Sequence, residues 1–261
     1  MWTDLKGWDS ASKENEARVT KFSSADFTRG ELTLPYRYYE AESVEEGAAL
    51  PLVVFLHGAD VIGTDNVQQL SAHDIGTVFA DEAWQAKHPC HILAPQYPRG
   101  MHWRQPVVCD WLEALIRLWG GKGADPARIY LYGYSAGAIG IFALIRRRPH
   151  FYAAAMPICG SAEDKDLELL ADTPLWLFHA EDDTIVRSGE SVWVQRGVTN
   201  LGSHVLAERL RPIMRAELHY TEYPLGQMQE KYHLHTHCSW VPAGRDRKAH
   251  EWLFEQRRLQ P

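Results

Sequence analysis

The residues with the most chemical content are Gly133-Tyr134-Ser135-Ala136-Gly137. A serine with glycine at −2 and +2 suits a nucleophile on a sharp turn. The small neighbours let the backbone bend and let crossing elements approach. A serine hydroxyl is a poor nucleophile until a base takes its proton, and the base needs an acid to orient it. Ser135 therefore directs attention to an Asp or Glu, and then a His, further along the chain.

Three carboxylates, Glu181, Asp182 and Asp183, follow an apolar run, Leu175 to Phe178. Three histidines, His233, His235 and His237, crowd a later loop. Spacing of two puts all three on one face of an extended stretch. That suits a general base and equally a zinc site, although no matching Cys or carboxylate set accompanies them. His57, His179 and His219 stand in strands or at strand ends and read as structural. An oxyanion hole needs two backbone N–H donors fixed before reaction. Ala136 supplies one, and the His57-Gly58-Ala59 loop, through Ala59, is expected to supply the other. Trp103, Tyr134 and Trp240 are candidates for lining the substrate pocket as well as for core packing.

These residues need elements to hold them. Gly and Ser each run at roughly 7% of residues, so G-x-S-x-G falls by chance about once in ten chains of this length. Its surroundings add the information. Ile129 to Tyr132 reads as a buried strand, and Ala136 to Arg148 as a helix stopped by Pro149. A helix starting at the serine aims free N–H groups at an anion formed there. Pro51 to Leu56 is a continuous apolar run, as in a strand buried on both faces. Further strands are predicted at Glu31–Glu40 (an antiparallel edge), His91–Ala94, Ala153–Ile158, Leu175–Phe178 and Glu217–Tyr223. Helices are predicted over Gly76–Lys87, Pro106–Trp119, most of Ser188–Arg211 with a break near Gly197–Gly202, and Gly244–Arg258. Asp125-Pro126 predicts a single helical turn. Glu42 to Ala49 reads as an acidic loop, and residues 1–30 as an arm or irregular first strand. Alternating strands and helices imply a mostly parallel sheet covered on both faces, an α/β architecture in one domain over residues 1–261. Sites in such sheets form at the C-terminal strand ends, where each of these motifs falls.

Composition bounds the rest. The chain has 261 residues, 45% hydrophobic and 23% charged, as in ordinary globular proteins. No stretch approaches 18 apolar residues, so no membrane span is expected. A net charge of −7 argues against nucleic acid as a partner. Arg146-Arg147-Arg148 falls at a helix end, where cations complement the helix dipole. Four cysteines without metal or C-x-x-C spacing read as reduced thiols. With the polar stretch Met1–Arg18, this points to the cytoplasm.

The chain resembles the α/β-hydrolase superfamily, within it the esterase branch of polyhydroxybutyrate depolymerase-like and feruloyl-esterase-like proteins, often labelled predicted peptidases. The resemblance runs from about Glu31 to Gln256. It rests on Pro51-Leu-Val-Val-Phe-Leu-His-Gly58, Gly63-Thr-Asp-Asn66, Ala94-Pro-Gln96 with Trp103, Asp125-Pro-Ala-Arg-Ile-Tyr130 and the Ser135 pentapeptide. It continues through Pro157-Ile-Cys-Gly160, His179 to Val186, His237-Cys-Ser-Trp240 and Trp252-Leu-Phe254. The resemblance implies an acid at Asp183 and a base at His237, two residues before a Ser-Trp pair. The order Ser135, Asp183, His237 is the hydrolase order. Asp60-Val61-Ile62 depart from the Gly-Glu-Arg common after His-Gly-Ala, and Ala138 and Ala180 each replace a glycine. The implied function is a serine carboxylesterase for a small-molecule ester, acylated sugars included, needing no cofactor or metal. The alternatives are a peptidase with the same triad and a non-catalytic binding protein on the same scaffold.

Overall fold

Leu50–Leu56 is buried at every position, and the sheet is built outward from it. The structure, a computed structural model, describes residues 8–41, 47–193 and 198–258. Its strands are β1 (Ser23–Arg29), β2 (Leu32–Tyr39), β3 (Leu50–Leu56), β4 (His91–Pro95), β5 (Ala124–Tyr134), β6 (Ala154–Ile158), β7 (Ser161–Glu163), β8 (Leu175–Ala180), β9 (Glu190–Trp193), β10 (Val198–Gly202) and β11 (Leu218–Tyr223). Eight form one sheet in the order β1-β2-β4-β3-β5-β6-β8-β11, and β7-β10-β9 form a small second sheet. In the large sheet β2 is antiparallel to β1 and β4, and the other pairings are parallel.

Alternation along the central strands divides the core. Leu52, Val54 and Leu56 of β3 join Ile129 and Leu131 of β5 on one face, against the helices Pro106–Gly120, Ala136–Arg147 and Ser203–Leu210. Val53 and Phe55 join Tyr130, Tyr132 and Tyr134 on the other, against residues 74–80 and the helix Arg247–Glu255. Both faces being covered is what the unbroken apolar run of β3 requires. Among the described residues no helix is long and apolar enough to cross a membrane. The four cysteines are buried and unbridged.

Several local expectations are corrected. β2 is the second strand, because Ser23–Arg29 pairs along its whole length and forms the edge. Residues 13–19 of the supposed arm are helical, capped by Ser12. Residues 74–80 form a 3₁₀ helix, and Asp81 caps a separate helix, Glu82–Lys87. Asp125 starts no helical turn: its carboxylate accepts from the Ala127 N–H at 2.8 Å inside β5. The long helix expected from Ser188 is only Ser203–Leu210; two antiparallel strands precede it. Residues 194–197 of that segment, and residues 42–46 of the expected acidic loop, lie outside the described residues. Arg146 and Arg147 meet Glu163, Asp166 and Glu113 in ion pairs rather than serving the helix dipole alone.

The end of β5 crosses very close to the end of β3. A Cβ on Gly133 would drive into the Leu56 carbonyl, and one on Gly137 into the Leu56 and His57 carbonyls. Glycine is required at both positions by this approach, whatever the backbone angles. Gly133→Ala is expected to destabilise the fold by about 1–3 kcal/mol, read as a Tm several degrees lower. An unchanged Tm would show that β3 and β5 can separate without cost.

Candidate active site

Ser135 occupies the turn between β5 and the helix Ala136–Arg147 with φ 53° and ψ −119°. A positive φ on a non-glycine residue is costly and persists only where its surroundings enforce it. Here the Ser135 N–H donates to the Ile158 carbonyl at 2.8 Å, and the Leu56 carbonyl blocks the flanking glycines. The hydroxyl accordingly faces the C-terminal edge of the sheet.

Asp183 follows β8, and His237 lies in the loop after β11. His237 Nδ1 is 2.7 Å from Asp183 Oδ2, and His237 Nε2 is 2.9 Å from Ser135 Oγ. The Asp183 side chain is wholly buried. Burial works to raise its pKa. The charge of His237 and hydrogen bonds from His179 and His237 outweigh this, and hold the carboxyl well below the usual carboxylate range. An ionised carboxylate only accepts, so Nδ1–H donates to it. Nε2 is left to accept the Ser135 proton.

Asp183 takes two further backbone donors, Ile185 N–H at 2.8 Å and Val186 N–H at 3.0 Å, both on Oδ1. Its fourth partner is His179 Nε2, at 3.2 Å from Oδ2. The Ser203 N–H donates to His179 Nδ1 at 3.3 Å, which places the His179 proton on Nε2, between Asp183 and the Val186 carbonyl at 2.7 Å. His179 thus orients the Asp183 carboxylate. Its position four residues before Asp183 was the available signal, but its place in a strand read as structural. Glu181 and Asp182 turn away: their carboxylates accept from the N–H groups of Leu225 and Gly226, each at 3.0 Å.

The three loop histidines do not share a face. His233 is exposed with φ 57°, and the His237 N–H donates back to His235 Nδ1 at 3.1 Å. The extended stretch assumed for a common face is a turn. Among the described residues no group of three or more His, Cys, Asp or Glu side chains is arranged to hold a metal ion.

Ala59 opens a 3₁₀ turn after β3, and Ala136 is the first residue of its helix. First-turn N–H groups lack intrahelical partners and are free to donate outward. Ala59, Ser135 and His237 line one narrow cleft, with Tyr134, Trp240, Asp60 and Trp8. A larger cavity of about 250 Å³ shares only Trp240 with it and lacks Ser135. Trp103 is not in the cleft, a correction to the pocket expectation. It is buried, packs on His57 and Tyr97, and its indole N–H donates to the His57 carbonyl at 2.9 Å. Its role is to hold the loop that carries Ala59. His57 behind it is neutral, with burial lowering its pKa to about 4.

A second histidine–carboxylate cluster borders the cleft. His73 Nε2 is 2.6 Å from Asp60 Oδ2, and His73 Nδ1 is 3.3 Å from Asp9 Oδ2. The Tyr134 hydroxyl donates to Asp60 at 3.0 Å. Burial lowers the His73 pKa, but the hydrogen bond to Asp60 and the nearby Asp9 carboxylate outweigh it and raise the value to about 9. Nothing in the local sequence around His73 marks this contact.

No protein-family model and no curated protein matches the sequence. Solved structures do. A thermostable esterase matches with a TM-score of 0.82 at 34% identity, over 92% of this chain and 64% of that one. Pyrococcus horikoshii acylaminoacyl peptidase matches with a TM-score of 0.61 at 15% identity, over 96% of this chain and 44% of that one. Thermogutta terrifontis esterase 2, phosphorylated by paraoxon, gives 0.58 at 14%, over 91% and 95%. The chain spans less than two thirds of the first two proteins' length, and the likeness to the last two is one of fold. The fold is the α/β-hydrolase fold.

The His73 cluster makes a pH-dependent contribution to stability. The folded pKa of about 9 exceeds the unfolded value of about 6.5. The contribution is therefore complete below pH 6.5 and lost as pH rises through 9. Urea unfolding from pH 6 to 9.5 is expected to show wild type losing on the order of 3 kcal/mol more than His73→Gln over that range. Parallel curves would show that His73 holds no extra proton in the folded state.

Proposed function

We propose that the protein is a serine carboxylesterase acting on small carboxylic esters through an acyl-enzyme. The observation that carries this reading is the hydrogen-bonded chain from Ser135 Oγ through His237 to Asp183, at 2.9 and 2.7 Å. Ser135 Oγ attacks the ester carbonyl carbon while its proton passes to His237 Nε2. The N–H groups of Ala59 and Ala136 stabilise the oxyanion. Collapse breaks the carbonyl carbon–alkoxy oxygen bond, and His237 returns the proton to the departing alcohol. Water, deprotonated by His237, then attacks the acyl carbon and releases the acid and Ser135. Asp183 fixes the His237 tautomer and stabilises the imidazolium. The two side chains carry every proton, so the reaction needs no cofactor or metal.

The likeness to a thermostable esterase supports ester rather than amide chemistry. The motif blocks favour the polyhydroxybutyrate depolymerase-like and feruloyl-esterase-like branch. Unbridged cysteines favour a reducing, cytoplasmic setting.

Ser135→Ala is expected to lower p-nitrophenyl acetate hydrolysis on the order of 10⁴- to 10⁶-fold with an unchanged circular dichroism spectrum. A fluorophosphonate is expected to label Ser135 in the wild type. Retention of a tenth of the activity would remove Ser135 from the mechanism. Asp183→Asn is expected to lower kcat on the order of 10⁴-fold, because an amide lets the imidazole adopt the wrong tautomer. Glu181→Gln and Asp182→Asn are expected to stay within about tenfold of wild type, since surface changes away from the reacting groups cost little. Equal losses at all three positions would reassign the acid.

A further inference from the structure

Trp8 lies over the reacting pair, although nothing near it in the sequence carries chemistry. Its ring meets His237 edge-on at 6.1 Å between centroids, and tilts against His235 at 5.5 Å and Trp240 at 5.4 Å. It borders the cleft that holds Ser135 and Ala59. The segment behind it is fastened to the body. Asp9 pairs with His73 at 3.3 Å, the Ser12 N–H donates to Asp74 at 2.8 Å, and the Asn15 amide donates to the Leu70 carbonyl at 2.9 Å. His73 also holds Asp60. One imidazole therefore ties the Trp8 segment to the turn that begins at Ala59.

Which part of a substrate would meet this ring follows from the proton's route. In the esterase reading, on which this inference rests, the leaving oxygen takes its proton from His237 Nε2. The alcohol must then lie on the His237 side of the acyl carbon. Trp8 stands against His237 and is held there by three aromatic neighbours. We propose that Trp8 is a specificity-determining residue that walls the alcohol side of the cleft and slows the enzyme on esters of bulky alcohols relative to small ones.

Acetates of methanol, cyclohexanol and benzyl alcohol share one acyl-enzyme and its hydrolysis, so their kcat/KM values differ only in ester binding and acylation, where the alcohol is present. Trp8→Ala is expected to raise kcat/KM for cyclohexyl and benzyl acetate, relative to methyl acetate, by about tenfold or more, the range reached by opening space for a few methylenes. Trp8→Phe is expected to give a smaller rise in the same ratio. The acyl-side ratio, p-nitrophenyl hexanoate to p-nitrophenyl acetate, is expected to change less than threefold in either variant. An unchanged alcohol ratio in both variants would overturn the proposal. So would a fall in the benzyl ratio, which would make Trp8 a stacking platform, or a shift confined to the acyl ratio. A wild type that hydrolyses none of these esters and leaves Ser135 unlabelled by fluorophosphonate would overturn the esterase reading itself. Ester turnover with an unmoved alcohol ratio sinks only the role of Trp8.

Discussion

The buried charge of Asp183 is the constraint that most of the site answers to. Removing a carboxylate from water costs several kcal/mol unless hydrogen bonds and a counter-charge replace the lost hydration. Four donors do so here, two from its own loop and one each from His237 and His179. Each has a structural consequence. The two backbone donors close the loop after β8. His179 must keep its proton on Nε2, which the Ser203 N–H enforces from the start of the helix Ser203–Leu210. His237 must present Nδ1–H, and its other nitrogen then points at Ser135. Asp183 is thus oriented before it orients His237, and the loops after β8 and β11 meet on one carboxylate.

Opposite this, the Ser135 turn depends on a steric constraint. β3 and β5 approach until a single carbonyl, that of Leu56, excludes side chains at both Gly133 and Gly137. The chain then has one way to pass from strand to helix, through a serine at positive φ. Strain at that residue is sustained by the same parallel pairing that buries Leu52 to Leu56. The position of Ser135 is therefore a property of the sheet, which explains why it can be precise within a loop.

Both constraints left traces in the sequence to different degrees. The glycine spacing around Ser135, the apolar run of β3 and the order of serine, carboxylate and histidine are local patterns, and they led to the right strands. Glu181, Asp182 and Asp183 could not be separated by spacing, because which carboxylate is buried depends on where β11 brings Leu225 and Gly226. The segment after Ser188 has helix-like spacing, yet it pairs as β9 and β10 because Ser161–Glu163 offers an edge. Tertiary pairing overrides local preference in such short runs. Trp103 looked like a pocket residue because aromatics suit both core and cleft; only its bond to the His57 carbonyl separates the two. Trp8 and His73 carried no signal at all, since their partners are brought close only by the completed fold.

Asp60 stands at a position where the sequence departs from the esterases it resembles. In the proposed mechanism a carboxylate beside the turn that presents Ala59 would oppose the negative charge forming on the substrate. At an effective dielectric of about 20, two unit charges 6 Å apart repel by roughly 3 kcal/mol, enough to weaken an oxyanion hole substantially. The structure turns the carboxylate onto His73 and the Tyr134 hydroxyl instead. Although burial favours its neutral form, the contacts with His73 and Tyr134 keep its pKa below the ordinary range. The imidazolium offsets the charge at 2.6 Å, closer than any oxyanion held by the Ala59 N–H could approach it. The same imidazolium reaches Asp9, so the neutralising charge and the tether of the Trp8 segment are one group. The carboxylate beside the Ala59 turn is thereby coupled, through His73 and Asp9, to the Trp8 segment that borders the cleft.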